Sequence, residues 1–156
     1  MCTPNPFEVK VLDISLILYA EHGFNASTFA SRVTTSTLSD YFSSITTGIG
    51  TLKGNLHGGA NEAVMEYLLK LKSKEDAEHF LIDSFKNKKK IMGFGHRVYK
   101  NGDPRHFIIK ELSRKLSNSK SGNRVMFKVS EYLENRMITE KKIYPNLDFF
   151  SASVYY

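Results

Sequence analysis

The sequence predicts an all-α protein. Apolar residues recur at helical spacing through most of the chain. Ser, Thr, Asn and Asp stand where those periodic runs begin, and no two alternating runs read as a strand pair. At 156 residues and 41% hydrophobic, the chain is one ordinary domain's worth, long enough to bury a real core. A net charge of +6 and a pI near 9.3 favour anionic partners: nucleic acid, phosphorylated cofactors or polycarboxylates. The single cysteine, Cys2, excludes an intrachain disulfide and a cysteine-based zinc site, and suits a reducing compartment. No apolar run is long enough to span a membrane, and MCTPNPFEV lacks a basic start followed by an apolar core. The expectation is a soluble, intracellular chain.

The elements follow in order. After Pro6, FEVKVLDISLILYAEHGF has few polar residues; Leu12, Leu16, Ile17 and Tyr19 mark a largely buried helix ending near Gly23. His22 falls at its C-terminal end, where the helix dipole favours a cation, and by itself reads as an ordinary helix-end histidine. In NASTFASRVTTSTLSDYFSSITTGIGTLKGN, Asn25 caps one helix and Thr37 with Asp40 forms a capping-box pattern for the next. Leu38, Tyr41, Phe42, Ile45 and Ile49 make one apolar stripe, assigned to the core. Gly48, Gly50 and Gly54 lower helix propensity there and point to close packing or a hinge. His57 precedes Gly58 and Gly59, and helical spacing resumes with Val64, Leu68 and Leu71.

Ser73 and Asp76 form a capping box for a short helix with Phe80, Leu81 and Phe85 inward and His79 in a structural place. The run Lys86, Lys88, Lys89, Lys90 lacks the interleaved aromatics of a nucleic-acid patch. It reads as a solvated face that helps attract a phosphorylated ligand. PRHFIIKELSRKLS is a helix buried through Ile108, Leu112 and Leu116, and NSKSGN is a turn cluster. RVMFKVSEYLENRMITEKK is amphipathic through Val125, Val129, Tyr132 and Leu133. Pro145 ends that helix, Asn146 caps the last one, and Asp148 falls in its first turn. There the dipole keeps the carboxylate ionised, whether as a base or only as a complement to the helix terminus.

The stretch GFGHRVYKNGDPR, Gly93 to Arg105, organises the rest. Gly93 and Gly95 let the backbone turn and come close to a ligand, which holds His96 on a loop. Asp103-Pro104 reads as an N-cap followed by proline at the first helical position, so Arg105 lies in the first turn, near His96. The third glycine of a dinucleotide fingerprint is missing. Two glycine-flanked histidines, a late aspartate and the cations Arg105 and His22, with no metal-ligand spacing, suit proton abstraction beside a carbonyl. The resulting carbon would then attack a second carbonyl.

At these residues the sequence resembles the citrate synthase family. LYAEHGFNASTFASR, LHGGANEAV, GFGHRVYKNGDPR and PNLDFFSA match, in order, four of its substrate-site segments. Within the family, LYAEHGFNASTFASRV, RHFIIK and PNLDFF look most like 2-methylcitrate synthases. The resemblance implies that Asp148 removes the α-proton of an acyl-CoA thioester, with His57 hydrogen-bonding the thioester oxygen. It makes His96 the donor to the oxaloacetate ketone, and His22 and Arg105 the groups that bind oxaloacetate. The backbone of Gly93, Phe94 and Gly95, with Lys100 nearby, falls in the region that contacts coenzyme A, which serves as a co-substrate thioester rather than a resident cofactor. The resemblance also implies a cytoplasmic homodimer acting on oxaloacetate and propionyl-CoA or acetyl-CoA. Residues 1–57 would be helices of a large domain and 58–156 most of a small one. Family members are more than twice this long and use two further arginines beyond these segments. The expectation is therefore a fragment, inactive alone, with a catalytically dead helical fragment that acts through binding or association as the alternative.

Overall fold

The computed structural model describes residues 5–20, 22–120 and 122–156; Cys2 lies outside them. Eight α-helices are present among these residues: α1 Pro6–Tyr19, α2 Ala26–Ser36, α3 Tyr41–Leu52, α4 Ala60–Leu68, α5 Lys74–Lys86, α6 Pro104–Ser117, α7 Arg124–Arg136 and α8 Leu147–Tyr155. A π-helical turn, Met137–Lys141, prolongs α7. The all-α class is borne out. Only an isolated bridge, Phe94 to Pro145, has β pairing among the described residues.

Side chains start these helices where local chemistry places them. Asn25, Ser73 and Asn146 accept the N–H groups of Thr28, Asp76 and Asp148, and Asp103 caps α6 ahead of Pro104. One expected cap is corrected: Asp40 caps α3 directly through Ser43 N, while Thr37 closes the C-terminus of α2. Helix α3 begins directly after Asp40, and the Thr37 hydroxyl instead donates to Thr34 O in the last turn of α2.

The core forms around α8, whose Phe149 and Phe150 are fully buried. Such burial stabilises by about 1.5–3 kcal/mol per side chain. α4, α6 and α7 pack on α8, α5 on α7 and α1 on α6, while α2 and α3 pair as a hairpin. Val64, Leu68, Leu71 and Leu81 are buried as their spacing predicts, and Phe80 and Phe85 pack on the core from its margin. Gly48 marks close packing, since a Cβ there would lie 2.4 Å from Ser31 Oγ; Gly50 faces open space. The lysine run is solvent-facing, with Lys89 paired to Asp83 at 2.9 Å.

Several apolar stripes do not face this core. In α1 the buried residues are Val11 and Ser15, with Phe7, Ile14 and Leu18 against the core, whereas Leu12, Leu16, Ile17 and Tyr19 are on the open side. Leu38, Tyr41, Phe42, Ile45 and Ile49 are likewise exposed, Leu38 at 96%. In α6, Ile109 takes the buried place beside Leu112 and leaves Ile108 exposed, and in α7 Met126 and Phe127 are buried while Val125 is not. The cause is common to all: periodicity defines an apolar face, but tertiary packing chooses which face is covered.

Candidate active site

Residues 93–96 and 143–148 are laced together, and this lacing brings the two halves of the site into register. Gly95 N donates to Tyr144 O at 2.8 Å, Asn146 N to Gly93 O at 2.9 Å, and Asn146 Nδ2 to Gly95 O at 2.9 Å. Gly93 has φ +84°, and a Cβ on it would meet Val64 Cγ2 at 2.7 Å and Phe149 Cα at 3.1 Å. Only glycine lets the loop press this closely on α4 and α8. Phe94 turns its ring into the core against Phe149, so its backbone, rather than its ring, is available to a ligand.

A cleft of about 720 Å³ opens above this junction. His57, His96 and Asp148, 91 positions apart from first to last (148 − 57), all line it, together with His22, Arg105, Gly93, Phe94 and Gly95. Lys100 does not line it. That lysine borders a neighbouring hollow of about 170 Å³ with Tyr99, Lys142 and Tyr144, because the turn after His96 carries it outward.

Both ring histidines have their tautomers set by backbone N–H groups. His96 Nδ1 accepts from Val98 N at 3.1 Å and Tyr99 N at 3.3 Å, so Nδ1 carries a lone pair and the proton sits on Nε2. Burial, with His22 and Arg105 adding to it against the pull of Asp103, holds this imidazole below its usual range. His57 Nε2 accepts from Ser27 N at 3.2 Å and lies 2.8 Å from Ser27 Oγ, so in the neutral ring the proton is on Nδ1. Each ring thus keeps one N–H donor. His22 Nε2 is 2.7 Å from Tyr99 Oη, and its ring meets His96 edge to face at 5.1 Å.

Arg105 is aimed by Asp103, which is fully buried. Arg105 Nε donates to Oδ1 at 3.0 Å and Nη2 to Oδ2 at 2.7 Å, a bidentate fork. Asp103 also accepts Arg105 N at 3.0 Å and Leu147 N at 3.3 Å, so it joins the start of α6 to the helix that carries Asp148. Burial opposes the Asp103 charge, but the hydrogen bonds and charge of Arg105 outweigh it and hold the carboxyl below its usual range.

At Asp148 a second influence opposes the helix dipole. Burial pushes its carboxyl above the usual range, against the hydrogen bond from Tyr19 and the charges of Arg105 and His57. Loss of water around this partly buried carboxyl outweighs a terminal dipole that acts over one turn. Tyr19 Oη donates to Asp148 Oδ1 at 2.7 Å and lies 2.6 Å from Ser151 Oγ, which accepts Asn61 Nδ2 at 2.6 Å.

Tyr19, Asn61, Ser151, Ser27 and the aiming role of Asp103 were not recognised in the sequence. Spacing could have flagged two of them: Ser151 follows Asp148 by one helical turn, and Tyr19 precedes His22 by three residues. Among the described residues, no group of three or more His, Cys, Asp or Glu is arranged to hold a metal ion. No described helix is long and apolar enough to cross a membrane.

Comparisons with known proteins place the whole length of the chain in one family. The family model for the citrate synthase C-terminal domain matches residues 1–156. The chain is 50% identical over 153 residues to citrate synthase 2 of Bacillus subtilis, covering 98% of this chain and 41% of that protein. It is 51% identical over 153 residues to 2-methylcitrate synthase of Shewanella oneidensis, covering 98% and 40%. A solved structure of citrate synthase from Thermoplasma acidophilum, in ternary complex with carboxymethyl coenzyme A and oxaloacetate, superposes with a TM-score of 0.91. That match has 42% identity and covers 98% of this chain and 41% of that one. The chain therefore spans about two fifths of the length of the relatives it matches. On its fold, its ordered site segments and a match along its whole length, the chain belongs to the citrate synthase family.

Proposed function

We propose that the protein carrying this chain condenses an acyl-CoA thioester with oxaloacetate. One observation carries the reading: His57, His96 and Asp148 line a single cleft with Arg105 and His22. On this reading, Asp148 accepts the α-proton of the thioester while His57 Nδ1–H hydrogen-bonds the thioester oxygen as it becomes an enol. The enol carbon attacks the ketone carbon of oxaloacetate, and His96 Nε2–H donates its proton to the alkoxide that forms. Water then cleaves the thioester and releases coenzyme A. Arg105, aimed by Asp103, grips an oxaloacetate carboxylate with His22 beside it. The Gly93–Gly95 backbone meets the thioester arm, and Lys100, in its outer hollow, meets the phosphorylated end of coenzyme A.

Propionyl-CoA is the acyl donor we assign, making the product 2-methylcitrate, with acetyl-CoA as the second reading. The stretches LYAEHGFNASTFASRV and PNLDFF favour the first, and the 50%-identical citrate synthase 2 supports the second. One methylene changes discrimination by only about 1–3 kcal/mol, so both donors react on this reading. Residues 1–57 belong to the larger domain and 58–156 to the smaller. The protein works as a cytoplasmic homodimer, for which the exposed apolar faces of α1 and α3 supply the surface. The test is coenzyme A release from each donor plus oxaloacetate by the intact protein. A kcat/KM higher with propionyl-CoA supports the assignment, a higher value with acetyl-CoA reverses it, and release from neither refutes condensation.

A further inference from the structure

We propose that Tyr19 is a positioning residue for Asp148: its hydroxyl, backed by Ser151 and Asn61, holds the carboxylate by Oδ1 and leaves Oδ2 to take the proton. The inference rests on the reading of Asp148 as the base.

The hydrogen bonds have a forced direction. Asn61 Nδ2 can only donate, and it donates to Ser151 Oγ at 2.6 Å. The carboxylate can only accept, so the Tyr19 proton lies on the 2.7 Å path to Oδ1. The 2.6 Å contact between Ser151 Oγ and Tyr19 Oη is then made with the Ser151 proton, which also has the Asp148 carbonyl at 3.2 Å as a second acceptor. The chain runs one way, from amide to hydroxyl to phenol to carboxylate, and each donor polarises the next. Among the described residues nothing donates to Oδ2.

The three supports come from different elements: Tyr19 ends α1, Asn61 opens α4, and Ser151 lies one turn beyond Asp148 on α8. The carboxylate orientation is therefore set by how three helices pack, not by its own rotamer preference. Other charged groups also face Asp148. Arg105 from α6 and His57 from the α3–α4 connection favour its charge, and Asp103 opposes it. None of these holds Oδ1 by a hydrogen bond. Without Tyr19 the carboxylate loses the side-chain bond that fixes Oδ1, and a partly buried charge loses the one side-chain donor it has among the described residues.

Tyr19→Phe keeps the ring and removes that donor, and Ser151→Ala removes its backing alone. In the intact protein, the Asp148 carboxyl is titrated by carbon NMR, and the pH dependence of kcat with propionyl-CoA and oxaloacetate is measured beside it. Removing a donor to the charged form raises the pH at which the carboxyl titrates. The expected result for Tyr19→Phe is an Asp148 titration moved to higher pH and the acid limb of kcat moved with it. A kcat loss of about tenfold at neutral pH accompanies this, the scale of one hydrogen bond to a charged group, and KM for oxaloacetate is unchanged. Ser151→Ala shifts the same way by less. An Asp148 titration identical in Tyr19→Phe and wild type overturns the proposal. So does an acid limb that stays in place, with lower stability alone marking a merely structural tyrosine. If the wild-type protein does not condense these substrates, the functional reading fails by itself, and the carboxyl titration still decides whether Tyr19 governs Asp148.

Discussion

Asp103→Asn isolates the part of the site that aims Arg105. Asp103 is fully buried and accepts four N–H groups: Arg105 N and Nε at Oδ1, and Arg105 Nη2 and Leu147 N at Oδ2. Asparagine caps helices as well as aspartate, so with its oxygen in the Oδ1 place it keeps the start of α6. Its amide nitrogen then faces two donors, Nη2 and Leu147 N, and neither bond can form. The Arg105 side chain is only 19% exposed, so its charge is left with little water to replace the partner. Breaking a buried pair in this way costs about 3–5 kcal/mol. For a chain of this size that lowers Tm by about 10 °C. The assay is urea unfolding at constant m, with Tm by calorimetry. The pH dependence gives a second reading. The Asp103 carboxyl titrates below its ordinary 3.8 in the folded state, so its contribution is complete above that pH. It is lost as the pH falls through the lower folded value, so wild type and variant converge in acid. A loss below about 1 kcal/mol at neutral pH, or a gap that persists in acid, would refute the reasoning.

Three further outcomes follow from the same geometry. Asp148→Asn removes a partly buried charge whose carboxyl titrates above 3.8 in the folded state. That charge costs stability increasingly as pH rises through this window, so the variant is more stable than wild type at neutral pH by urea unfolding. On the proposed reading of Asp148 as the base, condensation falls by about 10²–10⁴-fold, so stability and activity move in opposite directions. Gly93→Ala sets a Cβ 2.7 Å from Val64 Cγ2 at a φ of +84° and lowers stability by about 3 kcal/mol, from overpacking plus backbone strain; calorimetry checks it. His96 remains neutral with its proton on Nε2, so nitrogen NMR of the imidazole shows a lone pair on Nδ1 at neutral pH. Stability drawn from this neutral ring is lost as pH falls below the ordinary 6.5, and a protonated ring at pH 7 would contradict the assigned tautomer.

What was legible in the sequence is what short-range chemistry determines. Asn25, Ser73, Asp103 and Asn146 cap helices because cap and recipient lie within three residues, so the bond depends little on distant contacts. Gly93 and His96 were legible for a similar reason, since a glycine-flanked histidine constrains its own loop. His57, His96, Asp148, His22 and Arg105 stood out as a group through ordered family segments rather than through any spacing between them. The loop of His96 meets the helix of Asp148 through the lacing between residues 93–95 and 144–146, two backbone bonds and one from the Asn146 side chain, whose pairing across about fifty positions cannot be read from either segment alone. The apolar stripes of α1 and α3 show the limit from the other side: periodicity names a greasy face without saying what lies opposite, and here that face is open. The state of Asp148 was decided by tertiary structure as well. Its place in the first turn of α8 is local and favours the charge, but the burial that opposes it comes from elements far along the chain. Its hydrogen-bond donor, Tyr19, is 129 positions away. Local order determined where each functional side chain begins and kept the His96 proton on Nε2; packing between distant elements decided the His57 tautomer and raised the titration of Asp148.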